Sequence, residues 1–369
     1  MTIILCVKKM TRREEVISRL GAFGDELLEE IQKNEVPKMK VPQRGLNNVV
    51  FNPSTYIVEL GDKKSTRNYM NLAHTKKFMQ SVLIAAKCKE LVDRDKTASI
   101  RELYYQLKHA IAETKENTFE GQDESDPLIV DLETMLGVLR EELHLKADDK
   151  GTIIGKITIE DSGDKIDCSK LGRSGLAIPS IVEHYKFSDV KADYVLVIET
   201  AAMFDRLVEE KYHINNNCIM MATKGQAARG IRRLVHRINT ELKLPVIVFT
   251  DGDPWGYYIY SVLKAGSMAL AHESRRLGTP NVQFVGMTMT DIKEYGLEKV
   301  TEKLKDVDKK RISEIQVYPW FQKKEWKEEL QLMVDMGVRL EQQALASKSL
   351  EFVAEEYLPE KIKKKKMLP

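Results

Sequence analysis

The second half of the chain repeats one pattern, in which a short apolar run is followed by a segment with the spacing of an amphipathic helix. Short apolar runs are typical of buried strands, and strands that alternate with helices form a parallel sheet with helices on its faces. The runs are YVLVI (194–198), NCIMMAT (217–223), LPVIVFT (244–250) and VQFVGMT (282–288). We therefore expect an α/β domain with a doubly wound parallel sheet over residues 189–369.

The region before this domain has helical patterning. Three amphipathic stretches lie between residues 69 and 147, and the segment KGTIIGKITIED, which contains Gly151 and Gly155, has the pattern of a β-hairpin. Three helices and a hairpin are typical of a winged helix-turn-helix of the CAP type, but a small helical bundle with a trailing hairpin fits equally well. We assign residues 69–160 to this α+β domain and 161–188 to a connecting segment.

Both ends of the chain have distinct compositions. Residues 1–68 combine a charged helical stretch with a part rich in Pro, Asn and Gly, which we interpret as an N-terminal extension that packs against another surface. The apolar start is too short for a signal peptide and no run reaches transmembrane length, so we expect an intracellular, cytoplasmic protein. The lysines of the final KIKKKKMLP are expected to be solvated.

Composition leaves the class of partner open. The 369 residues are enough for two or three domains. The chain has 58 Lys and Arg against 56 Asp and Glu, so any nucleic-acid binding must come from local basic patches. Wide spacing argues against a zinc site or a disulfide framework for the four cysteines, which are Cys6, Cys88, Cys168 and Cys218.

Carboxylates follow two of the predicted strands. Glu199 comes directly after YVLVI, while Asp251 and Asp253 belong to the TDGDPWG that follows PVIVF. Ligands of open α/β sheets bind at the carboxyl ends of strands, and a hard cation relieves the repulsion between converging carboxylates. The pattern indicates Mg²⁺ bound next to phosphate. The alternative is an ordinary Asp-Gly-Asp turn and a glutamate that caps a helix.

A basic segment, TKGQAARGIRRLVHR, connects a predicted strand to a helix. Its cations fall largely on one side of that helix at spacings of three and four residues. A basic stripe beside a metal site is suited to hold a phosphodiester backbone, although a solvated basic face would look the same. The candidate DNA-binding residues here are Lys224, Arg229, Arg232 and Arg233.

The stretch RELYYQ contains two adjacent tyrosines that helical geometry separates. At about 100° per residue, one face of the helix carries an apolar stripe of Ile100, Leu103, Leu107 and Ile111. Tyr104 lies at the edge of this stripe and is predicted to be buried, whereas Tyr105 lies about 100° further round. The face of Tyr105 carries Arg101, Lys108 and His109. Tyr105 is thus either a nucleophile placed to meet phosphate or an ordinary surface tyrosine.

Taken together, RELYYQ, VIET, KGQAARGIRRL and FTDGDPWG resemble the family of archaeal DNA topoisomerase VI A subunits, which includes the eukaryotic meiotic double-strand-break transesterase. The resemblance extends from about residue 69 to near the C-terminus. It implies a Toprim sheet domain, with Tyr105 as the nucleophile and Arg101 orienting the phosphate. It also implies that Glu199, Asp251 and Asp253 bind Mg²⁺, with Glu199 as an alternative proton carrier. Lys108, on the same helix face as Tyr105, is a further candidate for a DNA contact.

The resemblance further implies an ATP-dependent type IIB topoisomerase, an isomerase. Two copies of the chain would cut double-stranded DNA through 5′-phosphotyrosyl bonds, and a GHKL-type ATPase B subunit would complete an A2B2 heterotetramer. ATP would bind to that partner, because this chain has no Walker A loop. The N-terminal extension would contact the partner.

The chain departs from the family pattern in the basic loop, at Ala227, Ala228 and Ile231, positions that we interpret as structural. These departures leave room for a divergent paralogue. Three other functions also fit the motifs: a Toprim nuclease, an enzyme that breaks DNA without strand passage, and a non-enzymatic winged-helix DNA-binding protein.

Overall fold

The computed structural model describes residues 10–369 and divides them into two compact units. The first unit comprises residues 10–48 and Leu60–Asp148, and the second comprises Val49–Glu59 and Asp149–Pro369. The apolar start of the chain and Cys6 lie outside the described residues. Cys88, Cys168 and Cys218 are free, buried thiols. Within residues 10–369, none of the helices is both long and apolar enough to cross a membrane.

The helices are, in chain order, α1 (Arg12–Gln32), α2 (Leu72–Asp93), α3 (Ile100–Leu107), α4 (Gln122–Leu136), α5 (Ala201–Glu209), α6 (Tyr212–Asn215), α7 (Arg229–Leu242), α8 (Pro254–Ala265), α9 (Ser274–Leu277), α10 (Met289–Glu294), α11 (Asp306–Ile315), α12 (Lys324–Met336) and α13 (Leu358–Lys363).

The strands are β1 (Lys38–Pro42), β2 (Val49–Asn52), β3 (Ile57–Leu60), β4 (Lys64–Asn68), β5 (Ala98–Ser99), β6 (Leu145–Lys146), β7 (Thr152–Gly155), β8 (Thr158–Asp161), β9 (Asp164–Asp167), β10 (Leu176–Ala177), β11 (Lys186–Ser188), β12 (Tyr194–Ile198), β13 (Cys218–Ala222), β14 (Val246–Phe249), β15 (Gln283–Gly286), β16 (Glu302–Lys303) and β17 (Val338–Arg339).

The first unit packs α1 to α4 around one apolar core. Helix α1 begins at a capping box in which Thr11 accepts a hydrogen bond from the Glu14 amide and the Glu14 carboxylate accepts one from the Thr11 amide. The core includes fully buried side chains from α2, α3 and α4, each of which stabilises the fold by about 2 kcal/mol. These side chains are Ile84, Leu103 and Leu132.

The predicted hairpin after this unit is wrong. Strand β7 pairs antiparallel with β13 inside the large sheet of the second unit, while β8 pairs with β9 and β11 in a separate three-stranded sheet. Gly151 and Gly155, which the sequence suggested as part of a hairpin, instead allow the backbone of β13 to approach closely. A Cβ on Gly155, where φ is +135°, would lie 2.4 Å from the carbonyl oxygen of Cys218. The first unit, which contains the predicted helices, therefore ends at Asp148, not at residue 160.

The second unit is built on a six-stranded sheet of order β10-β7-β13-β12-β14-β15. The four strands predicted from apolar runs are confirmed, and their pairs β13–β12, β12–β14 and β14–β15 are parallel. The strands β7 and β10 add antiparallel pairs at one edge. The parallel core thus brings the carboxyl ends of β12 and β14 together, because Ile198 is in register with Phe249.

The N-terminal extension is divided between the two units. Residues Val49–Glu59, which contain most of the β2–β3 hairpin, belong to the second unit. There, Glu59 accepts hydrogen bonds from Arg275 Nε and Nη2, both at 2.8 Å. The ring of Phe51 lies 5.7 Å from that of Trp320. Contact of the extension with a partner stays a prediction.

The lysine-rich segment is only partly solvated. Lys361 is buried, and its Nζ donates to Asp291 Oδ1 and Oδ2 at 2.7 and 2.8 Å. Further on, the backbone of Leu368 exchanges two hydrogen bonds with Phe284 of β15, at 2.8 and 2.9 Å. The expectation of a solvated tail is therefore wrong for Lys361, although Lys363, Lys364, Lys365 and Lys366 are exposed.

Candidate active site

Glu199 is the first residue after β12, and its position is fixed from both sides. Its amide donates to the carbonyl oxygen of Phe249 at 3.0 Å, which continues the pairing of β12 with β14. Its carboxylate Oε2 accepts a hydrogen bond from the Asp251 amide, also at 3.0 Å. The structure therefore brings Glu199 to the Asp-Gly-Asp loop, as the strand-end argument predicts.

Asp253 begins α8 and serves as its N-cap. Its Oδ1 accepts a hydrogen bond from the Gly256 amide at 2.6 Å, and Pro254 occupies the first helical position, where a missing amide costs nothing. Gly256 has no room for a side chain, since a Cβ would lie 2.2 Å from the Asp251 carbonyl oxygen. The sequence DGDPWG is thus a tight loop-to-helix turn that places Asp251 and Asp253 beside Glu199.

The site is electrostatically unfavourable without a cation. Burial, followed by the charge of Asp251, raises the pKa of Glu199 to about 8. Burial raises the pKa of Asp251 to about 6. A hydrogen bond from the Gln342 backbone lowers this pKa, and the charge of Asp253 raises it. The pKa of Asp253 is also raised by burial. Glu341 adds to the repulsion felt by Glu199 and Asp251.

The donor set fits a hard divalent cation. Within the described part of the chain, no three His, Cys, Asp or Glu side chains are arranged to surround an ion. Mg²⁺, however, needs only one or two protein carboxylates, because water and phosphate oxygens complete its shell. Carboxylates whose pKa is raised by burial and mutual repulsion gain the most from such a charge. Glu199, Asp251 and Asp253 therefore remain the candidate ligands.

The pattern-based prediction missed the C-terminal residues that complete this site. Arg339 Nη1 lies 4.0 Å from Asp253 Oδ2 and 3.9 Å from Asp308 Oδ2, and its Nη2 bonds Glu302 at 2.6 Å. Gln342 donates its amide to Asp251 Oδ1 at 2.8 Å. The segment VRLEQQ, which supplies these residues, follows a helix rather than an apolar strand, so no spacing rule connects it with a loop about 90 residues earlier.

Tyr105 and Arg101 lie on α3 of the first unit, which begins at a capping box between Ser99 and Glu102. Tyr104 is only 8% exposed, whereas Tyr105 is 60% exposed. The Arg101 guanidinium carbon lies 5.9 Å from the centre of the Tyr105 ring. The prediction that helix phase turns Tyr104 inward and Tyr105 outward beside Arg101 is confirmed.

Lys108 and Ile111 depart from the predicted helix face. Helix α3 ends at Leu107, so Ile111 does not extend its apolar stripe. Lys108 is the C-cap, with an extended backbone, and its Nζ donates to the Tyr104 hydroxyl at 3.0 Å and to the Glu120 carbonyl oxygen at 3.3 Å. This exposed lysine is therefore anchored to Tyr104, not to Tyr105.

The basic stripe of α7 is largely buried. Arg229 and Arg232 are only 6% and 4% exposed, and both form ion pairs with Glu273, which is fully buried. Arg233 is partly buried, and its Nε donates to Glu183 at 2.7 Å. The expectation of an exposed basic stripe is therefore wrong for Arg229 and Arg232, since each neutralises part of the buried charge of Glu273. That these two arginines contact DNA stays a prediction. Arg233 is already engaged by Glu183.

Lys224 and the divergent positions of the basic loop lie in different environments. Lys224 is exposed and has a φ of +54°. Ala227 and Ile231 are buried, and Ala228 is the N-cap of α7 without a side-chain cap. A Cβ on Gly151, where φ is +88°, would lie 2.6 Å from Ile231 Cδ1. Burial supports a structural role for Ala227 and Ile231, and Lys224 stays a candidate for DNA binding.

Comparison with known proteins identifies the family. Three family models match: the Toprim domain of Spo11 and the topoisomerase 6 A subunit, over residues 194–362, type IIB DNA topoisomerase over 76–145, and the all-beta domain of the DNA topoisomerase VI alpha subunit over 148–191. The chain is also 55% identical over 366 residues to the A subunit of type 2 DNA topoisomerase 6 from Pyrococcus abyssi, with 96% of each chain covered. The chain belongs to the family of topoisomerase 6 A subunits.

Other members of the topoisomerase 6 family match over a similar length. The corresponding protein from Pyrococcus horikoshii is 54% identical, with 96% of each chain covered. The one from Methanothermobacter thermautotrophicus is 40% identical, with 96% of this chain and 98% of that protein covered. The all-beta model begins at about the residue where the first unit of the structure ends.

Proposed function

We propose that this chain is the DNA-cleaving subunit of a type IIB DNA topoisomerase and that Tyr105 is its nucleophile. The observation that carries the proposal is the exposure of Tyr105 beside Arg101 on a capped helix, in a chain of this family. The Tyr105 hydroxyl loses its proton and attacks a backbone phosphorus. A new bond forms between the tyrosine oxygen and phosphorus, the bond from phosphorus to the 3′ oxygen breaks, and the 3′ oxygen takes a proton.

The link between Tyr105 and the 5′ phosphate keeps the energy of the broken bond. Religation therefore reverses the same step without ATP, as the 3′ oxygen returns its proton and displaces Tyr105. Arg101 would orient the phosphate with its planar, permanently charged guanidinium. The helices of the first unit would act as a module of the winged-helix type that carries Tyr105 to the duplex, although the predicted hairpin is not part of that unit.

Glu199, Asp251 and Asp253 would hold Mg²⁺ at the ends of β12 and β14. Bound there, Mg²⁺ supplies positive charge that stabilises the phosphate and the leaving 3′ oxygen. Two roles follow for Glu199. It serves as a ligand when ionised. When no ion is bound to it, burial and the charge of Asp251 raise its pKa to about 8, so it can then hold a proton near neutral pH for the 3′ oxygen.

Family membership supports the proposed partners. Two copies of the chain would cut the two strands of one duplex, and a GHKL-type ATPase B subunit would bind ATP and complete an A2B2 assembly that passes a second duplex through the break. Lys224 and Lys108 remain the exposed candidates for phosphate contacts. We place the enzyme in the cytoplasm of a prokaryotic cell, where it would act on chromosomal DNA.

The decisive experiment is a covalent adduct assay in Mg²⁺ with the chain and its ATPase partner. We expect labelled DNA to remain attached to protein after denaturation, Tyr105→Phe to abolish the attachment, and Tyr104→Phe to retain it. Loss of the adduct in Tyr104→Phe alone would contradict the assignment of the nucleophile.

The same assay separates the remaining functions. Cleavage without attached protein would support a Toprim nuclease, and tight binding without cleavage would support a DNA-binding protein. An adduct that forms without relaxation of supercoiled DNA, even with ATP and the partner, would support a break-forming enzyme. ATP hydrolysis by this chain alone would contradict the assignment of ATP to the B subunit.

A further inference from the structure

We propose that Gln342 is a positioning residue that holds the carboxylate site in the geometry needed to bind the metal ion. The inference rests on the proposed function and assigns a role to a residue outside the strands that carry the carboxylates. Gln342 is completely buried, although glutamine is a polar residue that is mostly exposed in proteins. Its burial therefore requires that its amide groups be satisfied inside the protein.

Three hydrogen bonds satisfy Gln342, and each leads to a different part of the site. Its side-chain Nε2 donates to the carbonyl oxygen of Phe249, the last residue of β14, at 2.9 Å. Its Oε1 accepts a hydrogen bond from Thr200 Oγ1, also at 2.9 Å. Its backbone amide donates to Asp251 Oδ1 at 2.8 Å. All three distances are those of well-formed hydrogen bonds.

The partners of Gln342 flank the candidate ligands along the chain. Thr200 follows Glu199 directly and is the N-cap of α5. Phe249 accepts a hydrogen bond from the Glu199 amide as well as the one from Gln342. The side chain of Gln342 thereby joins the ends of β12 and β14, while its backbone amide fixes an oxygen of Asp251.

The segment before Gln342 is itself fixed against the loop. Gly252 donates to the carbonyl oxygen of Leu340 at 2.7 Å, and Leu340 donates back to Gly252 at 3.0 Å. Gly252 lies between the two aspartates, and Leu340 is completely buried. Residues 340–342 therefore hold the Asp-Gly-Asp loop through its backbone and through one of its carboxylates.

A glutamine suits position 342 because of its primary amide. The site requires a donor towards Phe249 and an acceptor towards Thr200 on the same side chain, which a primary amide provides. Methionine has a similar length but neither group, so it would leave the Phe249 carbonyl and the Thr200 hydroxyl without these bonds. Residues that orient metal ligands contribute to affinity, and their substitution typically weakens binding by about 10- to 100-fold.

The test compares metal binding with stability in the full-length chain. Mn²⁺ binding is measured from the paramagnetic resonance signal of the free ion, without DNA, at a temperature at which every variant is folded. We expect Gln342→Met to weaken Mn²⁺ binding by about tenfold or more. Thr200→Val should weaken it in the same direction, while Thr200→Ser, which keeps the hydroxyl, should bind as the wild type does.

The matched control is Gln80→Met. Gln80 is a buried glutamine of the first unit, and its Nε2 donates to the Thr118 carbonyl oxygen at 2.7 Å and to Glu124 Oε2 at 2.8 Å. Its substitution removes the same kind of buried amide, so it should lower the unfolding temperature without altering Mn²⁺ affinity. If Gln342→Met does not fold, the Thr200→Val and Thr200→Ser pair provides the comparison.

The outcomes separate this inference from the proposed function. An unchanged Mn²⁺ affinity in folded Gln342→Met, with only a lower unfolding temperature, would reduce Gln342 to a structural residue and overturn the inference. A wild-type chain that binds no Mn²⁺ would also overturn the inference. Failure of the wild type to form a covalent adduct with DNA, while the affinity difference persists, would overturn the proposed function alone.

Discussion

Lys108 donates a hydrogen bond to the hydroxyl of Tyr104, the buried tyrosine, and leaves Arg101 as the cation in contact with the ring of Tyr105. The two cations that flank the tyrosine pair therefore have different tasks. Lys108 fixes the inner tyrosine at the end of α3. Arg101 remains available to a phosphate that approaches Tyr105.

Substitution of these two cations should therefore have unequal effects on cleavage. We expect Arg101→Ala to slow adduct formation by about 100-fold, the size of effect seen when one charge-stabilising donor is removed from an active site. Arg101→Lys should be intermediate, because it keeps the charge but loses the planar fork. Lys108→Ala should change the rate by no more than about fivefold. Single-turnover cleavage of a labelled duplex measures all three, and equal losses in Arg101→Ala and Lys108→Ala would contradict the assignment.

The basic loop and the helix after it should separate DNA binding from stability. Lys224→Ala should reduce the salt dependence of DNA affinity by about one phosphate contact and change the free energy of unfolding by less than about 0.5 kcal/mol. Arg232→Ala should lower the free energy of unfolding by about 3–5 kcal/mol, because it leaves Glu273 as a buried charge with one partner fewer.

Urea unfolding and salt titrations of DNA binding make this comparison. A folded Arg232→Ala protein whose salt slope falls as in Lys224→Ala would contradict the burial of the stripe.

The metal-free protein should become less stable as the pH rises towards 8. Glu199 has a pKa near 4.5 when unfolded and about 8 when folded, so the folded state binds the extra proton between these values. Its contribution to stability is complete below pH 4.5 and is lost as the pH rises through about 8. In EDTA, the unfolding temperature of the wild type should fall between about pH 6 and pH 8 more steeply than that of Glu199→Gln.

Added Mg²⁺ should reverse this dependence, because the ion binds the ionised carboxylates and so stabilises the fold more at the higher pH. Parallel pH profiles of the wild type and Glu199→Gln in EDTA would contradict the raised pKa.

Asp253 combines two tasks that two substitutions can separate. Asp253→Asn keeps a side-chain oxygen to cap α8 and should preserve stability while it weakens metal binding. Asp253→Ala also removes the hydrogen bond to the Gly256 amide and should cost about a further 1 kcal/mol of unfolding free energy. Both values are measured in EDTA, where the metal makes no contribution. Equal stabilities of the two variants would show that the cap contributes little.

Local sequence patterns predicted those elements whose burial depends mainly on their own residues. Apolar runs identified β12 to β15, because a buried parallel strand needs an apolar side chain at nearly every position. Strand ends predicted that Glu199, Asp251 and Asp253 lie together, and helix phase predicted that Tyr104 is buried and Tyr105 exposed; the structure confirms both placements. Each of these conclusions depends on residues within one element or on the order of neighbouring strands.

Other features depend on distant partners and could not be predicted in this way. The periodicity of α7 showed a charged face, but whether that face meets water or a buried carboxylate depends on Glu273, which lies 41 residues from Arg232. Gly155 read as a turn because its close approach to Cys218 involves a strand that comes later in the chain. The role of Gln342 could not be predicted for the same reason, since its partner Asp251 lies 91 residues away.

The pairing of Leu368 with Phe284 has a consequence for how the protein is handled. Strand β15 is the last strand of the six-stranded sheet, and an uncovered strand at that position offers its backbone groups to other molecules. Leu368 occupies those groups at Phe284, and the indole Nε1 of Trp326 donates to the Pro369 carbonyl oxygen at 2.7 Å. Removal of residues 364–369 would open a template for intermolecular strand addition, and the shortened protein would aggregate more readily in concentrated solution.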